Sequence, residues 1–190
     1  MHRRQFLFAG SALTLCAPFA VRATAEEVSA PGAVTDPQIV PRLAADDLTP
    51  VRLSQAQWRE LLDPDEYAVL REEATERPYT SPLNDVKEPG TFACAGCALP
   101  LYKTQWKYDS RTGWPSFWQG IDRNLGTKTD WKLIYPRTEV HCARCEGHLG
   151  HIFDDGPAPT GKRHCINGVA MDFVADAPDG DATAQGSADG

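Results

Sequence analysis

Cysteine is the residue type whose spacing in this chain first indicates chemistry. Two Cys-x-x-Cys pairs, at 94–97 and 142–145, leave Cys165 without a neighbouring cysteine. The thiolate is the nucleophilic form of cysteine, and a nearby cation favours it. Because Arg163 lies two positions before Cys165, we expect a lowered pKa at this thiol and take Cys165 as the candidate nucleophile.

Two histidines upstream of this thiol are candidate proton donors. His148 and His151 are separated by Leu149-Gly150, where a bulge would turn both imidazoles toward one site. Asp155 follows them and is a candidate to orient one ring. The alternative is that each histidine is structural and that 154–156 is a turn. We favour a site because these residues cluster, and we expect His151 rather than His148 to donate the proton.

Alternation along a strand would place further candidates beside the thiol. If a strand runs over 163–173, Arg163, Cys165 and Asn167 share one face, and His164 lies on the other. Asn167 would then bind a substrate or hold a loop through its amide. His164 is expected to be a bystander.

An aromatic segment, Gly113-Trp114-Pro115-Ser116-Phe117-Trp118, is suited to form an apolar wall. Glycine and proline on either side restrict the backbone around Trp114, which makes this ring the candidate substrate contact. Phe117 and Trp118 are better explained as core residues.

The two Cys-x-x-Cys pairs indicate a metal site. Each pair offers two soft ligands to a tetrahedral ion, and four thiolates favour one structural zinc. The 44 residues between the pairs must carry structure of their own. Disulfides are the alternative, because exported proteins ordinarily form them. The expected zinc ligands are Cys94, Cys97, Cys142 and Cys145.

Residues 1–25 have the pattern of an export signal. Arg3 and Arg4 precede an uncharged run (5–21) and a small-residue cleavage site at 23–25. The run is shorter than the roughly 20 apolar residues of a membrane span. The arginine pair resembles a twin-arginine signal, which exports folded proteins across a bacterial inner membrane. We therefore expect a periplasmic protein, whose zinc site would be loaded before export.

The remaining chain is expected to form one domain between two simpler flanks. Residues 26–50 contain five prolines or glycines without a periodic pattern, which indicates a linker or an extended arm. The domain is expected over 51–175. The tail, 176–190, consists mainly of Ala, Asp, Gly and Ser, and we expect it to be disordered.

Within this domain, the sequence predicts two short helices followed by antiparallel strands. Ser54 and Gln57 fit a capping box, and Asp63-Pro64 begins a second helix. Short apolar runs broken by turn residues follow Gly90. The strand-like runs are Thr91–Ala93, Leu99–Tyr102, Trp131–Tyr135, Glu139–His141 and Ile166–Val174.

The charge of the chain disfavours two classes of partner. The formal net charge is −7, and loss of the three arginines in the signal would change it to −10. An acidic protein is poorly suited to bind nucleic acid or an anionic membrane surface.

Five motifs in this order resemble the B-type methionine-R-sulfoxide reductases over about residues 51–175. They are Cys94-x-x-Cys97, Gly113-Trp114-Pro115-Ser116-Phe117, Cys142-x-x-Cys145, His148-Leu149-Gly150-His151 and Arg163-His164-Cys165-Ile166-Asn167.

The resemblance implies a mainly β fold of two antiparallel sheets with short N-terminal helices and a structural zinc remote from the active site. It implies repair of oxidised proteins by reduction of the R epimer of methionine sulfoxide. Cys165 would attack sulfur and become a sulfenic acid, and Trp114 would pack on the S-methyl group. The polar side of the site would comprise His148, His151, Asp155, Arg163 and Asn167.

Two positions depart from the pattern that this resemblance implies. Many members have a resolving cysteine where this chain has Thr112, so we expect an external thiol or a thioredoxin-like protein to reduce the sulfenic acid. His164 replaces a usual aromatic residue. This change either alters packing alone or, if the ring is protonated, places an imidazolium that tunes the thiolate one residue away.

Two other functions compete with this interpretation. A zinc-stabilised binding module would use the same fold without catalysis. A thiol-disulfide oxidoreductase would use a Cys-x-x-Cys pair, but these pairs lack a thioredoxin-like helical context. Substitution of Cys165 by serine separates the reductase from the binding module.

Overall fold

The structure is a computed structural model that describes residues 32–40 and 43–177. The predicted export signal and most of the predicted tail lie outside these residues. No helix in the described part of the chain is long and apolar enough to cross a membrane.

Two short helices begin the main body, α1 (Gln55–Leu61) and α2 (Pro64–Glu72). The predicted capping box is confirmed, because the side chain of Ser54 accepts a hydrogen bond from the backbone of Gln57 and the reciprocal bond is present. The second helix ends at Glu72 because Glu73 adopts a left-handed conformation with φ of 55°.

The described residues form nine strands in two antiparallel sheets, which confirms the mainly β, two-sheet fold that the resemblance implied. Three strands form one sheet in the order β2-β1-β9, and six form the other in the order β3-β4-β8-β7-β6-β5. The strands are β1 (Gly90–Cys94), β2 (Pro100–Lys103), β3 (Lys107–Tyr108), β4 (Ser116–Phe117), β5 (Leu125–Asp130), β6 (Arg137–Cys142), β7 (His148–Phe153), β8 (Arg163–Ile166) and β9 (Met171–Ala175).

Aromatic side chains join the two sheets. Phe117 of β4 is fully buried, as predicted, and stacks on Tyr102 with ring centroids 4.4 Å apart. Its edge meets Phe92 of β1 at 5.0 Å. Trp118 packs against Trp106 at 6.4 Å. The core therefore fixes β4, which lies directly beside the strand of the candidate nucleophile.

The strand predicted over 163–173 is interrupted. β8 ends at Ile166, and a 3-10 turn at Gly168–Ala170 precedes β9, which joins the other sheet. Asn167 begins this turn, with its main-chain N–H donated to Leu149. Alternation therefore holds for Arg163 to Cys165 and does not extend to Asn167.

The strand predicted at Trp131–Tyr135 is also wrong. This segment is the exposed loop between β5 and β6. Asp130 ends β5 because its side chain accepts a hydrogen bond from the backbone N–H of Lys132, which turns the chain away from the sheet.

Part of the segment predicted as an arm contacts the main body. Val40 is buried, and Val34 bonds to the backbone of Pro50 and Arg52. The fully buried guanidinium of Arg144 donates to the carbonyls of Ala44, Asp47 and Cys97. Arg144, which lies between Cys142 and Cys145 in the sequence, thus connects residues 44–47 to Cys97 of the other cysteine pair.

Candidate active site and metal centre

Cys165 lies in β8, an interior strand of the six-stranded sheet. Ser116 on β4 and His151 on β7 are its cross-strand neighbours. The thiol is half-buried. Because both edges of β8 are paired, the backbone holds the sulfur in a fixed position.

The thiol opens onto a cavity of about 210 Å³. Four residues predicted to form the site line it: Trp114, His151, Cys165 and Asn167. The rest of the lining is Thr75, Arg137, Gly150 and Phe153. A larger cavity of about 730 Å³ between α2 and β9 is lined by no cysteine or histidine, so chemistry rather than size identifies the site.

The thiol does not have the lowered pKa that the sequence predicted. Burial raises the pKa of Cys165, and this outweighs the opposing effects of Thr112, Arg163 and Ser116. The hydroxyl oxygen of Thr112 lies 3.9 Å from the sulfur. Arg163 acts on the thiol as expected, but the loss of hydration that burial imposes on the thiolate has the larger effect on the pKa.

A chain of hydroxyl groups supports this contact. The Ser110 oxygen lies 2.8 Å from that of Thr112 and 2.7 Å from that of Ser116. Ser116 is fully buried and also donates to the carbonyl of Trp114 at 3.1 Å. The hydroxyl beside the thiol is therefore held by partners on β4 and the preceding loop.

Arg163 is held in place from two sides. Its guanidinium donates two hydrogen bonds to Asp155, at 2.8 and 2.9 Å, and lies 4.4 Å from the ring centre of Phe153. Asp155 is exposed and occupied by this pair, so the prediction that it orients a histidine is wrong. Its effect on the site passes through Arg163.

The carboxylate that contacts His151 is Asp130, which sequence reasoning missed. His151 Nε2 lies 2.8 Å from Asp130 Oδ2, and Arg137 donates to the same oxygen at 2.6 Å. The backbone N–H of Lys132, then His151 and Arg137, hold the pKa of Asp130 well below its usual range. An ionised Asp130 accepts a hydrogen bond from Nε2–H, which leaves Nδ1 as the other exchangeable nitrogen.

His148 is near His151 but does not line the cavity of Cys165. The predicted bulge is confirmed, because the β6–β7 register shifts around Leu149 and the two imidazole centroids are 5.5 Å apart. His148 is buried, and its Nδ1 lies 3.2 Å from Glu139. Burial lowers the pKa of His148 despite this carboxylate, which disfavours it as a proton donor.

Glu76, also missed from the sequence, supports both Trp114 and Asn167. Its carbonyl accepts from Trp114 Nε1 at 3.2 Å, and its N–H donates to Asn167 Oδ1 at 3.1 Å. Its carboxylate accepts from the backbone of Gly168 and Val169, at 2.6 and 3.0 Å. A single residue after α2 thus fixes one wall of the cavity.

Asn167 holds the loop, one of its two predicted roles. Its amide nitrogen donates to the carbonyl of Leu149 at 2.9 Å, and its oxygen accepts from Glu76. The side chain is buried, and both ends already have backbone partners. Asn167 therefore connects the end of β8 to the β7 bulge.

His164 faces away from the cavity. Its Nδ1 lies 3.2 Å from the hydroxyl of Tyr102, and the two rings meet edge to face. Burial lowers the pKa of His164 to about 4. The ring is therefore neutral at neutral pH, so an imidazolium that tunes the thiolate is not present there.

The four remaining described cysteines form one buried cluster. All four sulfurs lie within 4.8 Å of one another, with separations of 3.7 Å for Cys94–Cys145 and 3.5 Å for Cys97–Cys142. The thiols are free. Sulfurs bound tetrahedrally to zinc at about 2.3 Å are about 3.8 Å apart, whereas a disulfide bond is about 2.0 Å. The donor set fits a metal ion.

Electrostatics in this cluster agrees with a cation. Contacts among the thiols raise the pKa of Cys94 and of Cys142 well above the usual range and lower the pKa of Cys145 well below it, so the thiols compete for one negative charge when no ion is present. Four buried thiolates would repel one another without a positive ion between them. These cysteines would hold zinc and join the turn after β1 to the turn after β6.

Comparison with known proteins gives the relationship of this chain. The SelR domain matches residues 62–175. The peptide methionine sulfoxide reductase MsrB of Hahella chejuensis is 44% identical over 133 residues, which cover 70% of this chain and 94% of that protein. The chain belongs to the SelR-domain (MsrB) family.

Relatives in plants are longer than the matched region. The chloroplastic peptide methionine sulfoxide reductase B1 of Arabidopsis thaliana is 48% identical over 124 residues, which cover 65% of this chain and 61% of the plant protein. The MsrB of Pseudomonas putida strain W619 is 49% identical over 118 residues, or 89% of its length. The chain thus spans less than two thirds of the plant relative and most of the bacterial ones.

The SelR match includes the cavity, the cluster and the three residues that sequence reasoning missed. Asp130, Arg137 and Glu76 all lie within 62–175. No periodic or spacing signal linked Asp130 to His151, because their contact depends on the register of three strands. Glu76 follows Thr75 at the end of a charged segment, and nothing in this local sequence indicated that it would support the wall of the Cys165 cavity.

Proposed function

We propose that this protein reduces the R epimer of methionine sulfoxide, chiefly in oxidised proteins, and so returns it to methionine. The observation that carries this proposal is the convergence of the Cys165 thiol, the Asp130-bound imidazole of His151 and the Trp114 ring on one cavity. Family membership and the activity for which the relatives are named support the same function.

The reaction begins with attack of the Cys165 thiolate on the sulfoxide sulfur. The thiol is oxidised to a sulfenic acid and the sulfoxide is reduced to a thioether, so oxygen passes from substrate sulfur to cysteine sulfur. The hydroxyl of Thr112 and the guanidinium of Arg163 stabilise the thiolate against burial. Asp155 keeps the guanidinium in place.

His151 is the proton donor in this proposal. The sulfoxide oxygen must be protonated as its bond to the substrate sulfur weakens. Ionised Asp130 fixes Nε2, so a proton on Nδ1 is the one available to the substrate. His148 packs beside this ring and acts as a support rather than a donor.

Apolar and polar parts of the substrate contact different walls. The Trp114 ring receives the S-methyl group, and its hydrogen bond to Glu76 fixes its position. Arg137, Gly150 and Asn167 form the polar side of the cavity. This division favours one sulfoxide epimer, because methyl and oxygen then occupy non-equivalent positions.

An external thiol donor regenerates the enzyme. Two thiols reduce the sulfenic acid to Cys165, with release of water and formation of one disulfide in the donor. Among the described cysteines, those other than Cys165 belong to the buried cluster. A low-molecular-weight thiol or a thioredoxin-like protein would supply the electrons.

One zinc ion would have a structural role. Its ligands would be the four cluster cysteines, and when bound it supplies a cross-link between the turns of the two sheets. No catalytic step uses this ion.

The sequence at residues 1–25 supports export of the folded protein to the periplasm by the twin-arginine route. The same proposal assigns 26–50 to a linker or arm, 51–175 to the reductase domain and 176–190 to a tail, most of which lies outside the described residues.

Intact mass after one round of methionine-R-sulfoxide without reductant tests the proposal. We expect the protein to gain one oxygen and Cys165→Ser to gain none while it keeps zinc and its fold. Loss of two hydrogens would contradict the external-donor step. Unreduced substrate and unchanged mass in the wild-type protein would instead favour a zinc-stabilised binding module.

A further inference from the structure

The loop between β5 and β6 exposes large apolar side chains in close succession. The exposed fractions are 72% for Trp131, 46% for Leu133, 106% for Ile134 and 61% for Tyr135. Scattered exposed apolar residues are ordinary, but contiguous apolar surface on a soluble protein usually marks a binding site. We call residues 131–135 the apolar loop.

Both ends of the apolar loop are fixed to the body of the protein. At its start, Asp130 accepts from the backbone N–H of Lys132 at 2.8 Å, and Lys132 forms an ion pair with Glu73 at 2.5 Å. At its end, Arg137 bonds to Asp130 at 2.6 Å and pairs with it across the strands. Hydrogen bonds and ion pairs at both flanks therefore hold the apolar side chains in position.

The two flanking residues, Asp130 and Arg137, also belong to the candidate active site. Asp130 contacts His151, and Arg137 lines the cavity of Cys165. Asp130 and Arg137, which flank the apolar loop, thus connect it to the site that would receive a methionine sulfoxide side chain. The substrate polypeptide on either side of that bound side chain therefore has to pass near the apolar loop.

We propose that the apolar loop binds the polypeptide flanking the oxidised methionine and favours apolar neighbours. Methionine is mostly buried in folded proteins among other apolar residues, and its oxidation disrupts such cores. Oxidised chains therefore present apolar flanks that free methionine sulfoxide lacks. This inference rests on the proposed function and names the substrate class of the same site.

Two substrates of equal chemistry and different flanks test the inference. The substrates are pentapeptides with central methionine-R-sulfoxide, one flanked by leucine and valine and the other by serine and glycine, with N-acetyl-methionine-R-sulfoxide as the small reference. Dithiothreitol serves as the reductant. The variants are Ile134→Ser and the double variant Trp131→Ser/Ile134→Ser, with Val174→Ser as the control for loss of an exposed apolar residue on β9.

We expect the wild-type protein to prefer the apolar peptide. Each loop variant should raise KM for that peptide about three- to tenfold, the scale expected for partial burial of one large apolar side chain. The polar peptide, the N-acetyl substrate and the Val174→Ser control should change little. Equal KM values for the two peptides, or equal losses on all substrates, would overturn the inference.

The same variants separate a reductant surface from a substrate surface. If they raise KM only for a thioredoxin-like donor, the apolar loop receives the reductant and the proposal is wrong. Binding of the apolar peptide to Cys165→Ser protein, with and without the loop substitutions, needs no turnover. An inactive wild-type protein whose peptide binding still depends on the loop would overturn the proposed function and keep the loop as a binding site.

Discussion

The hydroxyl oxygen of Thr112 lies 3.9 Å from the sulfur of Cys165. A thiol at position 112 would therefore need only a small shift to form a disulfide with this cysteine. Position 112, where the resemblance implies a resolving cysteine in many members, is thus in contact with the candidate nucleophile, and we expect its side chain to determine the route of regeneration.

Thr112→Cys should convert the protein to internal resolution. After one turnover without reductant, we expect the variant to lose two hydrogens and the wild-type protein to gain one oxygen, as measured by intact mass. Ser110→Cys is the matched control, because Ser110 bonds to Thr112 and is one contact further from the sulfur. A variant that retained the oxygen would show that the geometry at position 112 does not permit resolution.

The reactivity of Cys165 should increase with pH through the alkaline range. A raised pKa delays loss of the thiol proton to higher pH, so iodoacetamide should react slowly at neutral pH. Thr112→Val removes the largest of the opposing effects and should shift the alkylation profile further upward. Thr129→Val, on the exposed part of β5, should leave the profile unchanged. A downward shift in Thr112→Val would refute the assignment.

Asp130→Asn should act on proton transfer. We expect kcat to fall about 100-fold, at the lower end of general acid–base effects, with little change in KM. The reason is that an amide does not hold His151 Nε2–H as an ionised carboxylate does. Steady-state kinetics with Asp130→Glu as partial rescue and exposed Asp85→Asn as control measures this. A proportional loss of thermal stability with unchanged kcat would indicate a purely structural role.

His164→Phe should leave the pH dependence of catalysis unchanged near neutrality. With its pKa lowered from 6.5 to about 4, His164 carries no charge there. Kinetic profiles above about pH 6, the range set by the ordinary histidine pKa, test this directly. A displaced profile would restore the idea that the ring tunes the thiolate.

The same substitution should reduce the sensitivity of folding to acid. As pH falls from 6.5 toward 4, the unfolded chain takes up the proton first, so stability present above pH 6.5 is lost across this interval. The loss in the wild-type protein is on the order of 3 kcal/mol. Urea unfolding at both ends of the interval should show a smaller difference for His164→Phe.

Cys142→Ser should abolish stoichiometric zinc and destabilise the fold. Loss of one of four buried ligands leaves uncompensated thiols between the two sheets, and we expect a cost of at least about 3 kcal/mol. Metal analysis and thermal unfolding, with Cys165→Ser as the matched cysteine control, provide the test. Retention of zinc and stability would rule out a four-cysteine centre.

The sequence was most informative where chemistry depends on residue type and local spacing. Alternation in β8 placed Arg163 and Cys165 together, and the glycine at position 150 predicted the bulge that brings His148 beside His151. The two cysteine pairs predicted a cluster that the fold forms. The antiparallel architecture followed from short apolar runs between turn residues.

The sequence was least informative where contacts depend on register or burial. Asp130 reaches His151 through two strand pairings, β5 with β6 and β6 with β7. Burial reverses the expected pKa shift at Cys165, although the predicted cation is there. The hydrophobic run at Trp131–Tyr135 resembles a strand in sequence. The hydrogen bond from the Lys132 N–H to Asp130 turns the chain out of the sheet, so this run forms a loop.

The interior position of β8 has a kinetic consequence for the oxidised protein. Strands on both sides hold the backbone at Cys165, so moving this residue toward a remote partner would require a large part of the sheet to open. Under the proposed mechanism, regeneration is then a second-order encounter of the electron donor with a stationary sulfur. The rate of this step should therefore rise in proportion to the concentration of the donor around the protein.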